Sequence, residues 1–295
     1  MTSLLQLVVS GFALGMVYAL IAIGFVIILK CSNVFNIAQG HFVLLGGYLG
    51  YTYLVTFNLP LWAALILAIA SAVAIGLLIE RLTLRPLIGQ PVLAVVMMTI
   101  ALSVVIEGLA TLIWGGEYKT YHGVLPTFTL RVGEISLPPE SMIGLIVSVI
   151  VVVILLLFFR YTKSGLAMRA TAEDEQVVQS AGIKVTTVYA LSWVIACIVG
   201  VIGGILLGGV SGVMVPLAEI GIKAFAVVLL GGVNSIGGAI VAGIILGVLE
   251  NVAAGYLDPL LPGGGLAHVF PFIVMIIVLI FRPYGLFGLV RIERI

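Results

Sequence analysis

The sequence predicts an all-α protein that crosses a membrane about eight times, with a further short or broken helix near residues 220–231. Of its 295 residues, 62% are hydrophobic and only 8% are charged. A soluble globular chain carries about 25% charged residues, so this chain could not cover a surface that faces water. Its apolar residues run in continuous stretches without alternating polarity, which favours helices over strands.

The charge balance excludes several classes of protein. The 13 Lys and Arg residues and the 12 Asp and Glu residues leave a net charge of +1, which provides no field to attract nucleic acid. Cys31 and Cys197 lie in or beside apolar stretches and cannot form a disulfide framework. A soluble enzyme, a disordered chain and a nucleic-acid-binding protein are therefore excluded, and a multi-pass protein embedded in membrane lipid remains.

A helix needs about 20 apolar residues to cross the hydrocarbon core. The first apolar stretch is too long for a cleavable signal peptide and has no basic segment before it, so we expect it to remain as a span. A ninth stretch, Ile220–Gly231, is short and could be a broken or re-entrant helix, which is tolerated only where it packs against protein. The eight predicted spans are Leu4–Leu29, Phe35–Thr56, Leu61–Ile79, Val92–Trp114, Met142–Phe159, Val188–Val210, Ile236–Ala254 and Val269–Phe281.

The Lys and Arg residues of the short loops predict the orientation. With the polar segment 160–187 in the cytoplasm, only Lys119 and Arg131 fall outside, in the periplasmic loop 115–141. The N-terminus is then outside, the C-terminus is inside, and residues 1–295 form a single transmembrane domain. The cations that fall on the cytoplasmic side are Lys30, Arg81, Arg85, Arg160, Lys163, Arg169, Lys184, Arg282, Arg291 and Arg294.

Glycines recur at helical spacing along the predicted spans. Small residues at every fourth position let helix backbones approach closely in lipid, so they predict tight helix packing. A moving interface or a pathway lining is the second interpretation. The glycines concerned are Gly200, Gly204, Gly208 and Gly212, and the pairs Gly11/Gly15, Gly46/Gly50 and Gly243/Gly247.

Charged residues inside the predicted spans need a reason, because a charge at the bilayer centre costs at least about 2.5–3.5 kcal/mol. Glu107 lies inside the fourth span, where either a structural hydrogen bond or a role in a transport pathway would explain it. Glu219 and Lys223 are four residues apart with the acid first, which predicts an ion pair within one helix. Glu250 is expected near the outer end of its span, within reach of the interface.

Motifs for catalysis and nucleotide binding are absent from the sequence. His41, His122 and His268 are widely separated, and neither cysteine has a His nearby, so we predict no metal site and no Cys–His nucleophile. The sequence contains no G-x-x-x-x-G-K-[ST], H-E-x-x-H or G-x-S-x-G motif. We therefore predict no catalytic activity, no cofactor and no ATP site of its own.

The segment 160–187 is the most polar part of the chain. Gly165 is expected to end the preceding span, and residues 166–181 suit one short amphipathic helix that stops at Gly182. A solvated loop helix and a docking helix for a cytoplasmic partner are both compatible with this pattern. The apolar side would carry Leu166, Met168, Ala172 and Val178, and the wet side Glu173, Asp174, Glu175 and Gln179.

Five segments in order resemble the permease subunits of the high-affinity branched-chain amino acid (leucine/isoleucine/valine) ABC importer family. The first lies in the polar loop, where Gly165, Arg169, Ala170, Glu173 and Gly182 match the family's coupling segment. Asp174 stands where that family usually has Asn. The other segments are Asn36–Gly40 with Gly46–Tyr48, Glu80–Leu87 with Thr99–Ser103, Gly231–Glu250, and Phe281–Gly288.

The resemblance implies a transport subunit of a bacterial inner membrane that works by alternating access. It implies four kinds of partner: a second homologous permease, two cytoplasmic ATPase subunits, a periplasmic amino-acid-binding protein, and membrane lipid. The loop around Arg169–Asp174 would couple the spans to the ATPases. The outer loops Gly115–Ser141 and Tyr256–His268 would dock the binding protein.

A mostly apolar pathway with a few polar groups would suit an aliphatic side chain. Asn36, Gln39 and Glu107 are candidates to line it, and Asn36 and Gln39 could instead brace the helices around it. Three alternatives remain open at this stage. The same architecture could import urea, short amides or a pentose; the chain could be an ion-coupled secondary carrier; or it could be an enzyme embedded in the membrane.

Overall fold

The computed structural model describes residues 4–121, 130–132, 135–260 and 265–288. Within these ranges the chain is almost entirely helical, and β1 (Leu130–Val132) pairs with β2 (Ile135–Leu137) in antiparallel orientation. The helices are α1 (Leu4–Ser32), α2 (Gln39–Tyr51), α3 (Leu61–Ile79), α4 (Val92–Trp114), α5 (Pro139–Tyr161), α6 (Lys163–Glu173), α7 (Glu175–Ser180), α8 (Val185–Ser211), α9 (Ile220–Gly231), α10 (Ile236–Tyr256) and α11 (Leu266–Phe281).

The predicted all-α membrane fold is confirmed. Among the described residues, 6 helices are long and apolar enough to cross a membrane: α1, α3, α4, α5, α8 and α10. Two further predicted spans are shorter helices. α2 continues as a π-helical turn over Thr52–Thr56, and α11 has 16 residues with Pro271 inside it.

The helices divide into a buried centre and an exposed periphery. The most apolar stretches of α1 and α8 are 89% and 83% buried, whereas those of α3, α4 and α5 are each 28% buried. An apolar helix that is open on most of its surface is compatible with lipid but not with water. The fold therefore surrounds two central helices with helices that have a free apolar face.

Glycine pairs set the closest helix contacts, as the spacing predicts. The pair Gly11/Gly15 of α1 faces Gly243/Gly247 of α10, and a Cβ added to Gly15 would lie 2.6 Å from the Gly243 carbonyl oxygen. A Cβ on Gly204 of α8 would likewise overlap the carbonyl oxygen of Val43 on α2. Gly212 does not belong to this series, because it follows the last residue of α8 with φ +74°.

Two helices begin inside the bundle rather than at its ends. The side chain of Gln39, the first residue of α2, donates from Nε2 to the carbonyl oxygen of Ala196 (3.0 Å), near the midpoint of α8. The start of α9 lies beside it, since a Cβ on Gly221 would be 2.7 Å from the Gly40 backbone. A 3-10 turn, Val215–Glu219, precedes the 12-residue α9. The predicted span Phe35–Thr56 is thus helical only from Gln39 onward.

The non-helical backbone before α2 is satisfied within the protein. The Ile37 N–H donates to Thr99 Oγ1 (3.2 Å), and the Ala38 N–H donates to Asn36 Oδ1 (3.1 Å). Irregular backbone at membrane depth requires such partners, because lipid offers none. These bonds also bring together two segments that carry the family resemblance, one around Asn36 and the other around Thr99.

Two further segments that carry the family resemblance, Gly231–Glu250 and Phe281–Gly288, meet at the end of the bundle that carries α6 and α7. The N–H groups of Leu286 and Phe287 donate to the carbonyl oxygens of Leu230 (2.8 Å) and Gly231 (3.0 Å) at the end of α9. Gly232 has φ +101°, and a Cβ there would lie 2.5 Å from the Gly288 nitrogen. The glycines of both segments therefore permit close backbone contact.

Several predictions fall partly outside the described residues. The loop 115–141 is described only at 115–121, 130–132 and 135–141, and the loop 256–268 lacks 261–264. His122, Glu134, Arg291 and Arg294 also lie outside the described residues.

Candidate functional site

The polar segment 160–187 forms two short helices rather than one. α6 ends at Glu173 and α7 begins at Glu175, and between them Asp174 adopts an extended conformation (φ −155°, ψ 109°). The Asp174 Oδ1 accepts hydrogen bonds from the N–H groups of Gln176 (2.8 Å) and Val177 (3.1 Å). Asp174 is therefore the N-cap of α7, a position that favours Asp and Asn alike. The prediction of one continuous helix over 166–181 is wrong.

The ends of these helices also differ partly from the prediction. The preceding span ends at Tyr161, not at Gly165, and the hydroxyl of the next residue, Thr162, caps α6 by accepting from the Gly165 N–H (2.9 Å). Gly165 lies inside α6, where a Cβ would be 2.5 Å from the Phe158 carbonyl oxygen. Its role is to let α6 fold back onto the end of α5. Gly182 follows α7 with φ +82° and ends it as predicted.

One side of α6 and α7 is held firmly against the spans. Met168 (1% exposed) and Val178 (4% exposed) are buried, as the amphipathic pattern predicts. The Glu175 carboxylate accepts from the Tyr189 hydroxyl of α8 (2.9 Å) and from Gln179 Nε2 (3.0 Å). The Met168 carbonyl lies 3.9 Å from the Cys31 sulfur at the end of α1. The two helices thus contact both central spans.

The other side of α6 and α7 is open, and we call it the α6–α7 surface. It combines charged residues with Leu166 and Val177, which are 59% and 63% exposed. Large exposed apolar residues among charges are typical of a protein contact. Ala170 is half-buried behind it, and Leu166 lies here rather than on the predicted buried side. The surface carries Leu166, Arg169, Glu173, Asp174, Gln176 and Val177.

Asn36 and Gln39, both predicted pathway candidates, are buried (1% and 0% exposed) and bonded to each other. The Asn36 Nδ2 donates to Gln39 Oε1 (3.2 Å), and Gln39 in turn donates to Ala196 of α8. Gln39 packs against Gly24 of α1, where a Cβ would overlap its amide. These contacts match the bracing interpretation, because the two amides tie the start of α2 to α1 and α8.

Glu107, the third pathway candidate, lines a cavity of about 600 Å³ between α1, α2, α4 and α9. Its Oε2 lies 3.3 Å from His41 Nε2, with the two side chains 47% and 15% exposed. Phe25, Phe35 and Phe225 form an aromatic cluster on the wall, with ring centroids 5.5 and 6.2 Å apart. The cavity therefore pairs an apolar wall with a small polar group.

The sequence analysis did not assign two ionisable residues of this cavity, His41 and Glu219, to a pathway. His41 is placed opposite Glu107 only by the fold, since the two are far apart in sequence. Glu219 is exposed at the cavity rather than paired with Lys223. His41 and Glu219 were recognisable as ionisable residues in apolar sequence, but nothing in their spacing indicates their shared location.

Lys223 pairs with Glu250 of α10 instead of Glu219, so the predicted pair within one helix is wrong. The Lys223 Nζ donates to Glu250 Oε1 (2.5 Å), with the side chains 16% and 10% exposed. The Tyr18 hydroxyl of α1 interacts with the same carboxylate. Glu250 is thus buried within the bundle. The expectation that it would reach the interface is wrong. The pair links the short α9 to α10 beside α1.

The chain is similar to known proteins along nearly its whole length. A family model described as "Branched-chain amino acid transport system / permease component" matches residues 7–279. The LivH permease protein of Escherichia coli, named for a high-affinity branched-chain amino acid transport system, is 30% identical over 99% of this chain and 97% of its own length. The corresponding BraD protein of Pseudomonas aeruginosa is 32% identical over 99% and 98%. A protein of Methanocaldococcus jannaschii, named as a probable permease for these amino acids, is 30% identical over 91% and 88%.

Proposed function

The chain belongs to the family of branched-chain amino acid transport permeases, and on this premise we propose that it carries branched-chain amino acids inward as the permease subunit of an ATP-driven importer. It would act in the bacterial inner membrane with a second homologous permease, two cytoplasmic ATPase subunits and a periplasmic amino-acid-binding protein. The observation that supports this function best is the helix pair α6 and α7, which exposes the α6–α7 surface on one side and is anchored to the spans on the other.

The anchoring supports a mechanical role for the α6–α7 surface. Arg169, Glu173 and Asp174 offer charged contacts to an ATPase subunit, while Met168, Val178 and Glu175 hold the same helices against α1 and α8. Closure of the ATPase dimer on ATP would shift α6 and α7 and, through these contacts, the central spans. The cavity would then switch between a state open to the cytoplasm and a state open to the periplasm. The switch would be driven by the different affinities of these two states for nucleotide.

The cavity beside Glu107 supports a hydrophobic amino acid as cargo. Its wall of Phe25, Phe35 and Phe225 suits an aliphatic side chain, and Glu107 and Glu219 are carboxylates that can face an α-ammonium group. Binding sites are commonly apolar with a few placed polar groups, which fix orientation. In this proposal Glu107 lines the pathway directly, while Asn36 and Gln39 hold its helices in place.

Arg169→Glu tests the coupling role. Charge reversal on an exposed residue should leave membrane insertion intact and reduce both co-purification of the ATPase subunits and uptake of radiolabelled leucine by about tenfold or more, because a charged contact is replaced by repulsion. Uptake by vesicles that hold the assembled complex measures this, with ribose and urea as alternative cargoes. We expect the unmodified complex to accumulate leucine and neither of the other two.

Lys163→Glu is the matched control. It makes the same charge change at the first residue of α6, near the span and away from Arg169. We expect a much smaller loss, and Arg169→Lys should restore most of the uptake. Normal uptake and normal co-purification of the Arg169→Glu complex would contradict the coupling role. Uptake driven by a proton or sodium gradient without any ATPase would contradict the importer assignment.

A further inference from the structure

A second cleft, separate from the cavity beside Glu107, opens at the end of the bundle that carries α6 and α7. It has a volume of about 430 Å³ and lies between the connection from α3 to α4, α7 and the first turns of α8. Small-molecule sites typically occupy about 300–1,000 Å³. The cleft therefore has room for a small ligand and lies against the helices that we assign to ATPase coupling.

A buried carboxylate lines this cleft without a hydrogen bond. Glu80, in the π-helical turn after α3, is 4% exposed, and its Oε1 has no hydrogen-bond partner among the described residues. The nearest cation, Arg85, places Nε 3.9 Å from that oxygen, which is too far for a hydrogen bond. The Oε1 atom is fully enclosed, so an N–H donor that enters the cleft would contact the other oxygen and stabilise a carboxylate that has little water around it.

The rest of the lining completes a site for a zwitterion with an apolar side chain. Arg85 is half exposed, and the ends of its guanidinium can receive a carboxylate in a forked contact. The apolar wall is formed by Leu84, Val95 and Trp193, all of which are buried. The cleft thus places the Glu80 carboxylate, the Arg85 guanidinium and an apolar wall within one small volume.

We propose that this cleft binds a free α-amino acid with an apolar side chain from the cytoplasm and that the bound molecule slows the importer. Its ammonium group would donate to Glu80, its carboxylate would face Arg85, and its side chain would lie against Leu84 and Val95. Glu175 and Gln179 of α7 form the opposite wall. A ligand held between this wall and the α3–α4 connection resists movement of α7. The slowing rests on the proposed function, because it needs α6 and α7 to move with the ATPases.

The test uses the complete complex in proteoliposomes whose ATPase subunits face outward. Binding protein and leucine are enclosed in the lumen, and the rate of ATP hydrolysis is measured while leucine is added to the outer, cytoplasmic-side solution. We expect the added leucine to lower the rate in a saturable manner. Isocaproate, which lacks the ammonium group, and isoamylamine, which lacks the carboxylate, should be at least about tenfold weaker.

Two variants examine the cleft itself. Glu80→Gln should raise the half-inhibitory concentration of outer leucine by at least about tenfold relative to that variant's own uninhibited rate. Ile88→Trp fills the cleft from its rim, at a residue 39% exposed, and should have the same effect even if Glu80→Gln does not assemble. Arg81→Gln is the matched control, because Arg81 is exposed and lies outside the lining; its inhibition should be unchanged.

The outcomes separate this inference from the proposed function. If luminal leucine and binding protein stimulate ATP hydrolysis but outer leucine has no effect, the cleft assignment is overturned and the importer stands. If no ATP hydrolysis depends on luminal leucine, the proposed function itself fails. If Glu80→Gln instead weakens ATPase association while leucine inhibition persists, the cleft receives a side chain of the ATPase, and the amino-acid site is wrong.

Discussion

Asp174 shows how one side chain shapes the proposed contact with the ATPases. Its carboxylate accepts two backbone N–H groups at the start of α7 and so turns what would be one helix into two. An Asn side chain can accept the same bonds through its amide oxygen. The difference from the family pattern at this position therefore preserves the local geometry and changes only the charge.

Asp174→Ala should loosen α7, since losing an N-cap costs about 0.5–2 kcal/mol. Hydrogen exchange of the Gln176 and Val177 amides should become faster, and leucine uptake should fall several-fold. Asp174→Asn is the control and should keep both near their original values. Unchanged exchange in the Ala variant would show that the cap does not hold α7.

The Lys223–Glu250 pair is the second feature at this scale. Glu250→Gln leaves the buried Lys223 ammonium without its counter-charge, and breaking a buried pair costs about 3–5 kcal/mol. We expect a clear fall in the thermal unfolding temperature of the protein in detergent. The double variant Lys223→Met/Glu250→Met should recover most of that loss. A double variant as unstable as Glu250→Gln would argue against the pair as the cause.

At the scale of elements, the glycine contacts and the short helix at Ile220–Gly231 were predictable, and the late start of α2 was not. Spacing of four residues identifies Gly11/Gly15 and Gly243/Gly247 as packing surfaces, but it cannot tell which helix each surface meets. Hydropathy shows an apolar run from Phe35 onward without revealing that the helix starts at Gln39. That start depends on Thr99 and Ala196, which are distant in sequence and supply the hydrogen bonds.

Gly204→Ala should disrupt the packing of α2 on α8, because the new methyl group overlaps the Val43 carbonyl oxygen. Overpacking of this kind costs about 1–3 kcal/mol. Gly108→Ala is the matched control on α4, where a Cβ meets nothing within 4 Å; Ala there should be neutral or stabilise by up to about 1 kcal/mol. Thermal unfolding in detergent compares the two, and equal stability would contradict the close contact.

For the whole molecule, composition was enough to predict the class, whereas the orientation that the loop charges indicate stays a prediction. They could not place the candidate sites, because both the cavity at Glu107 and the cleft at Glu80 are assembled from segments far apart in sequence. His41 meets Glu107 only because α2 and α4 pack together. More of the α6–α7 surface could be predicted from the sequence, because it lies in one continuous segment with its own amphipathic pattern.

Thiol labelling can test the orientation without a signal from the native cysteines, because both of them are buried. Ser180→Cys on α7 should react with an impermeant maleimide only from the cytoplasmic side, and Glu117→Cys, at a side chain 87% exposed, only from the periplasmic side. Intact cells and inverted vesicles should give opposite patterns, and the unchanged protein should not react. Labelling of Ser180→Cys in intact cells would show that α7 faces the periplasm. The predicted orientation and the proposed ATPase contact would then both be wrong.

The late start of α2 has a mechanical consequence. A continuous helix carries a push along its whole length as a stiff rod, but α2 has no helical turn below Gln39 through which to receive one. A displacement of α6 and α7, as proposed above, would reach α2 sideways through α1 and α8, which α6 and α7 touch directly. α8 contacts α2 both at the Gln39–Ala196 hydrogen bond and where Gly204 packs on Val43. In the proposed mechanism the helical part of α2, which begins at Gln39, is therefore moved from its side and not pushed from its end.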